Sequence, residues 1–400
     1  MTAVKSAIEE DIFEYVKRIR RRLHQYPEPA FHEFKTAEII SEELKKLSLW
    51  HKTGIAKTGI IARLDSSYKD SPTIALRADM DALSLEEKTG LPYSSRNPGY
   101  MHACGHDGHM AMLLGAARLL KTTGHDASVV LIFQPAEESG GGARAIIEAG
   151  AIDDVDMIFG GHIDMHFPLN TIAIRHYMDT SYTDSLEIRI VGRGGHAARP
   201  HETVDAVVVG SVFVTSLQTI VSRSIDPLNP AVISIGSFHA GVAYNAIADE
   251  AVLRGTIRTT DKKTREMVIN KINQTASSLA SLYGAEIYLS IREGYPPVIN
   301  HPVAYRIARG AAKAVVGDDN VLRVEQPSMG GEDFSYYLLE APGCFVRLGT
   351  HNEMYQYMPV HSCKFDFDER VLMTGALFFA ELVKKAAEYM REGSASVHTK

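Results

Sequence analysis

The sequence predicts an α/β protein whose main domain is interrupted by a smaller ferredoxin-like domain. Three observations lead there. Strand-like and helix-like runs alternate from Thr73 to Phe159, as in a layered fold with a largely parallel sheet. Near residue 180 the order becomes β-α-β-β-α-β, and beyond residue 296 the first alternation returns. The chain has 400 residues, room for two or three domains at about 100–200 residues each, and its 45% hydrophobic and 23% charged content is globular.

The elements follow in order. Ile12, Val16, Ile19 and Leu23 at helical spacing predict an opening helix, with Arg20, Arg21 and Arg22 suiting the end of its last turn and Pro27 and Pro29 stopping it. Strands are predicted at Thr73–Ala78, Ser128–Phe133 and Asp156–Phe159, with helices after Gly108 and from Ala143. Ligands of open α/β sheets sit beyond the carboxyl ends of strands. Here the first strand runs into Asp79-Met80-Asp81, the second into Glu137-Glu138 and the third into His162. Leu186, Ile188 and Ile190 then alternate with Glu187 and Arg189, as in a sheet with one wet face. The apolar run Ala206 to Val221 falls short of the roughly 20 residues of a membrane span and reads as a buried helix. Strands at Ala231–Gly236, Ala251–Ile257 and Ala285–Arg292, with a helix across Lys262–Tyr283, complete the insertion. Domain limits are therefore expected at 1–179, 180–295 and 296–400, the middle piece of roughly 115 residues being an ordinary domain size.

Charge and composition exclude several classes. Lysine and arginine number 42 against 49 acids, a balance of −7 without a basic run, so nucleic acid is not an expected partner. The first residues interleave charge with apolar side chains and hold no signal core, so a cytoplasmic protein without a membrane partner is expected. Cys104, Cys344 and Cys363 form no CxxC and suggest no disulfide framework.

The chemistry concentrates at a few points. His102-Ala103-Cys104-Gly105-His106-Asp107-Gly108-His109 crowds a thiol and imidazoles before a helix, and Cys104-x-His106 can aim two donors at one metal. In Glu137-Glu138, directly after a strand, neighbouring side chains face apart, so one carboxylate can hold a metal while the other acts as general base. Gly160-Gly161-His162 and Val360-His361-Ser362 add imidazoles in turn-like settings. Cys104, His106, Glu138, His162 and His361 are together enough donors for two ions sharing ligands.

These motifs resemble metallopeptidase family M20, in its branch of aminoacylase, hippurate hydrolase and indoleacetyl-amino-acid hydrolase relatives. The resemblance rests on Arg21-Arg22-Leu23-His24, Arg77-Ala78-Asp79-Met80-Asp81-Ala82-Leu83, Cys104-Gly105-His106-Asp107-Gly108-His109, Gln134-Pro135-Ala136-Glu137-Glu138, Gly194-Gly195-His196-Ala197, Asn245-Ala246-Ile247-Ala248, Gly255-Thr256-Ile257-Arg258, Gly331-Glu332-Asp333-Phe334-Ser335 and His361-Ser362, in family order over nearly the whole chain. It implies an aminopeptidase-like catalytic domain holding two divalent ions (zinc, manganese, cobalt or nickel), with the insertion as a lid and dimerisation domain. It implies Cys104, His106, Glu138, His162 and His361 as ligands, Glu137 as the base, and Asp81 as the acid orienting a metal-bound imidazole. It further implies that His196 donates to the oxyanion from a partner subunit, and that Asn245, Arg258, Gly330 and Gly331 hold the substrate carboxylate.

The expected activity is metal-dependent cleavage of N-acyl-amino acids to a carboxylate and a free amino acid, by a homodimer. A dipeptidase or carboxypeptidase of the same family, a Cys104 nucleophile with His106 or His109 as base, and a non-catalytic metal binder are the alternatives. The chain departs from the branch at Asp164-Met165-His166, where an acid and an extra imidazole are expected close to the metals, and at Ser84, where proline is common and only the loop is expected to change.

Overall fold

The computed structural model describes residues 2–68, 70–353 and 358–397, the side chains of residues 2–8 and 393–397 apart. The chain divides into two compact units. One comprises the residues to Tyr177, Val298–Glu325 and those from Asp333 on; the other comprises Met178–Pro297 and Gln326–Glu332.

In the first unit, strands Ser128–Gln134, Thr73–Asp79, Met157–Pro168 and Gly343–His351 lie side by side and parallel, at the centre of a sheet of eight described strands. Alternation along the strands makes the two faces. Ile74, Leu76 and Ala78 share a core with Val16, Ile19 and Leu23 of helix Thr2–His24 and with helices His106–Thr123 and Val371–Val397. Ala75, Val130 and Ile132 face the other way, onto Ala143, Ile146 and Phe334. Because the central strands are parallel, their carboxyl ends open on one edge.

Two expectations need correction here. His162 stands within strand Met157–Pro168 instead of a turn. The glycines before it serve close packing: a Cβ on Gly160 would come 2.8 Å from Phe334 Cε2, and one on Gly161 3.0 Å from Val346 Cγ2. Gln326–Glu332, expected in the main domain, groups with the second unit. Backbone bonds draw it there, from Ser328 N–H to Asp179 O at 2.8 Å and from Ser181 N–H to Gly330 O at 3.2 Å.

The second unit carries an antiparallel sheet in the order Glu286–Glu293, Tyr182–Val191, Glu250–Thr259, Ala231–Ala240. Leu186, Ile188, Ile190, Leu253 and Ile257 meet Phe213 and Leu217 of helix Ala206–Ser224 and Val268 and Ile272 of helix Lys262–Tyr283 in a core of their own. Helix Ala206–Ser224 is not wholly buried, as its sequence suggests. It is long and apolar enough to cross a membrane, yet only the stripe of Ala206, Val209, Gly210, Phe213, Leu217 and Ile220 is buried, while Val207 and Val208 are exposed. Phe213 is 0% exposed. Phe213→Ala is expected to destabilise the second unit by about 3–5 kcal/mol, read as a lower urea midpoint for that unit, while the midpoint of the first unit stays unchanged.

Candidate metal centre

Each donor arrives on a different piece of the first unit. Gly105 caps helix His106–Thr123 in the left-handed region, at φ 92°, where a side chain would be strained. That turn sets Cys104 and His106 on either side of it. Glu137 and Glu138 follow strand Ser128–Gln134, and His162 comes from the strand Met157–Pro168. His361, at φ 66°, reaches the group from the far end of the chain, its N–H donating to Ala103 O at 2.8 Å.

Two candidate donor sets share one residue. The donor atoms of Cys104, His106 and His162 lie within 4.8 Å of one another, and so do those of Cys104, Glu138 and His361. The thiol belongs to both. Cys104 Sγ is 3.3 Å from His162 Nε2, and His361 Nε2 is 3.2 Å from Glu138 Oε1. Glu137 joins His106 and Glu138 in a third such group. His106 Nε2 is buried without a hydrogen-bond partner among the described residues. A buried imidazole nitrogen left unsatisfied, among a thiol, two further imidazoles and a carboxylate, suits zinc and its neighbours.

The charges in the metal-free chain follow from burial and neighbours. Burial, then Glu138, pushes the Cys104 thiol well up. Burial and the adjacent His109 and Arg347 hold His162 well down, so it is a neutral imidazole with a lone pair to give. His106 is held up in spite of burial, chiefly by Asp79. Glu138 stays low in spite of burial, through its bond with His361, which is raised in turn.

Asp81 has a broader part than orienting an imidazole. His106 Nδ1 bonds its backbone carbonyl at 2.9 Å, with the carboxylate at 3.4 Å. The carboxylate oxygens accept the N–H groups of Glu137 and Glu138, at 3.1 and 3.0 Å. Sequence reasoning missed the support around it. Buried Arg77 reaches Gln134 at 2.9 Å, Asp79 at 2.7 Å and Asp333 at 2.8 Å. Asp79 holds His109 Nδ1 at 2.6 Å, and His109 Nε2 accepts the N–H of Ile163 at 3.0 Å, beside His162. An arginine inside an otherwise apolar strand, two residues before an acid, was the available signal.

The departures from the branch read differently in three dimensions. Asp164 and His166 pair with each other, Nδ1 to Oδ1 at 2.7 Å, and among the described residues neither joins a ligand set. Ser84 does more than shape its loop. It lines a cleft of about 560 Å³ beside Glu138 and His361, walled by Pro29, Ala30, Ala82, Leu83 and Leu85.

The other expected site residues lie in the second unit. His196 is exposed on a short strand paired with Ala246–Ile247, next to Asn245, whose carbonyl accepts the N–H of Ala197 at 3.1 Å. Its Nδ1 accepts the N–H of Ala198 at 3.0 Å, which leaves the proton of the neutral ring on Nε2. Arg258 is half-buried and bonds Ile257 O at 3.1 Å; among the described residues no carboxylate pairs with it. Burial lowers its pKa. Gly330 is exposed, and Gly331 packs so closely that a Cβ would meet Thr183 Cγ2 at 2.7 Å.

Behind the donors, His24 Nδ1 meets Asp107 at 2.8 Å and Nε2 meets Glu87 at 3.4 Å. Burial opposes its charge, but the two carboxylates prevail and lift it from 6.5 to about 9. Its contribution is therefore complete below pH 6.5 and lost as pH rises through about 9. His24→Asn is expected to cost on the order of 3 kcal/mol below that window, a difference that closes above it when urea unfolding is followed against pH.

Known proteins resemble the chain over nearly its whole length. The chain is 39% identical to thermostable carboxypeptidase 1 of Saccharolobus solfataricus, over 94% of this chain and 96% of that one. It is 37% identical to the N-acetyl-L-cysteine deacetylase of Bacillus subtilis, over 94% and 89%. The crystal structure of the YXEP protein of Bacillus subtilis, described as a dinuclear metal binding peptidase from the M20 family, superposes with a TM-score of 0.81 at 33% identity, covering 95% of this chain and 99% of that one. The sequence profile of peptidase family M20/M25/M40 matches residues 75–385, and the chain belongs to that family of hydrolases.

Proposed function

We propose that the protein is a two-metal amidohydrolase that cleaves N-acyl-amino acids to a carboxylate and a free amino acid. The observation that carries this is the pair of ligand sets sharing Cys104, with Glu137 beside them. Two divalent ions, when bound, would polarise the amide carbonyl and acidify a water for attack. Cys104, His106 and His162 would hold one, and Cys104, Glu138 and His361 the other. Mixed sulfur, nitrogen and oxygen donors suit zinc, cobalt, manganese or nickel.

Glu137, fixed through its amide by Asp81, takes the proton of the attacking water and returns it to the leaving amine. His196, with its proton on Nε2, donates to the oxyanion. Arg258 and Asn245, with the close-packed backbone at Gly330 and Gly331, hold the substrate carboxylate. A half-buried guanidinium that bonds Thr256 and the Ile257 carbonyl, with no carboxylate in an ion pair with it among the described residues, supports that assignment. The cleft at Ala82 to Leu85 has no lysine or arginine in its wall and suits an uncharged acyl group.

A homodimer through the second unit is part of the reading. Strand Ala231–Ala240 is a sheet edge, and Val207, Val208, Val242 and Tyr244 are exposed apolar side chains in the same unit. Two copies joined there would cover both. Val208→Glu is expected to shift the protein from dimer to monomer in sedimentation velocity.

The direct test is amino-acid release from N-acetyl-, N-benzoyl- and indoleacetyl-amino acids and from dipeptides, on metal-stripped protein with single metals restored. Glu137→Gln is expected to lose about 10²–10⁴-fold in turnover with metal uptake unchanged. Release from dipeptides alone would favour the peptidase reading that the carboxypeptidase relative suggests.

A further inference from the structure

The first helix carries a buried cation that the proposed chemistry does not use. Arg20 is 0% exposed. Its Nε donates to Asp107 Oδ2 at 3.0 Å, its Nη2 to Asp366 Oδ1 at 2.7 Å, and its Nη1 to Glu369 Oε1 at 3.2 Å and Tyr93 Oη at 3.0 Å. The guanidinium also lies 4.1 Å from the centre of the Phe367 ring.

Its two shortest carboxylate contacts belong to different ligand-bearing segments. Asp107 directly follows His106 in the first turn of its helix, and Asp366 follows His361 by five residues. A planar guanidinium fixes both the distance and the angle between two carboxylates, which a lysine ammonium does not. Burying such a group costs several kcal/mol unless its partners repay it, and well-packed apolar residues are often as stable, so stability alone is a weak reason for it.

The two sides of this clamp do not depend on it equally. His106 is anchored independently, through Nδ1 to Asp81 O at 2.9 Å. His361 has a side chain 52% exposed whose Nε2 meets Glu138, and among the described residues its own backbone makes one such bond, from its N–H to Ala103 O. We propose that Arg20 is a positioning residue: by tying the Asp366 segment to Asp107, it sets where His361 stands relative to Cys104 and Glu138. The inference rests on the two-metal reading above.

The experiment is a Co²⁺ titration of the metal-stripped full chain, with stoichiometry from equilibrium dialysis and site signatures from visible absorption. Wild type is expected to take up two ions. In Arg20→Met one site should weaken by about 10–100-fold, the usual effect of removing a group that orients a ligand, while the other changes far less. Arg20→Lys should not rescue it, and Asp366→Asn should weaken the same site. Asp366→Asn decides the matter if Arg20→Met does not fold. Wild-type affinity at both sites in these variants, or parallel weakening of both sites in step with a lowered melting temperature, would overturn the proposal. A wild type that binds fewer than two ions overturns the two-metal reading itself, and this inference with it.

Discussion

The donor geometry hangs on one carboxylate outside the proposed ligand set. Asp81 accepts the backbone N–H groups of Glu137 and Glu138, while its carbonyl takes the Nδ1 proton of His106. Three segments are thereby locked at a single residue. The sheet makes this possible, because Thr73–Asp79 and Ser128–Gln134 are parallel neighbours with Asp79 opposite Gln134, so the two loops leave the sheet side by side. Bonds from backbone amides to an ionised carboxylate are among the stronger kinds, and here they define the turn that sends Glu137 and Glu138, one residue apart, in different directions.

Around that turn the protein invests in buried charge. Arg77 ties two strand ends to Asp333, and Arg20 ties the first helix to Asp107 and Asp366. Both guanidiniums are fully desolvated, and each meets carboxylates in several directions. A purely apolar interior would leave side chains freer to find alternative packings; directional bonds to buried acids leave fewer choices. The Asp79–His109–Ile163 chain extends the same principle to the strand that carries His162.

Much of this was legible in the sequence. The alternation of strands and helices located the central parallel strands, and the runs leading into Asp79, Glu137 and His162 pointed to one edge. Cys104-x-His106 and Glu137-Glu138 carried their chemistry in their spacing. His361 could not be tied to the others by spacing alone, since it lies 257 residues beyond Cys104 in sequence and meets it only through the fold. The setting of His162 was misread because glycines signal turns in sequence, whereas Gly160 and Gly161 here make room for Phe334 and Val346. Helix Ala206–Ser224 was misread because hydropathy does not report which face has a partner. The reach of the Arg20 and Arg77 networks was hidden for a related reason: apart from Asp79, two residues from Arg77, their partners are distant residues that no periodicity connects.

The first unit is discontinuous in sequence, and its buried charge spans the discontinuity. Asp107 lies in the same early stretch as Arg20, but the other two carboxylates paired with that guanidinium, Asp366 and Glu369, come from beyond the whole second unit. The second unit, nearly continuous in sequence, draws on no residue so far along the chain. A chain cut after the second unit would therefore keep every residue of that unit and yet strip two acids from a buried cation in the other.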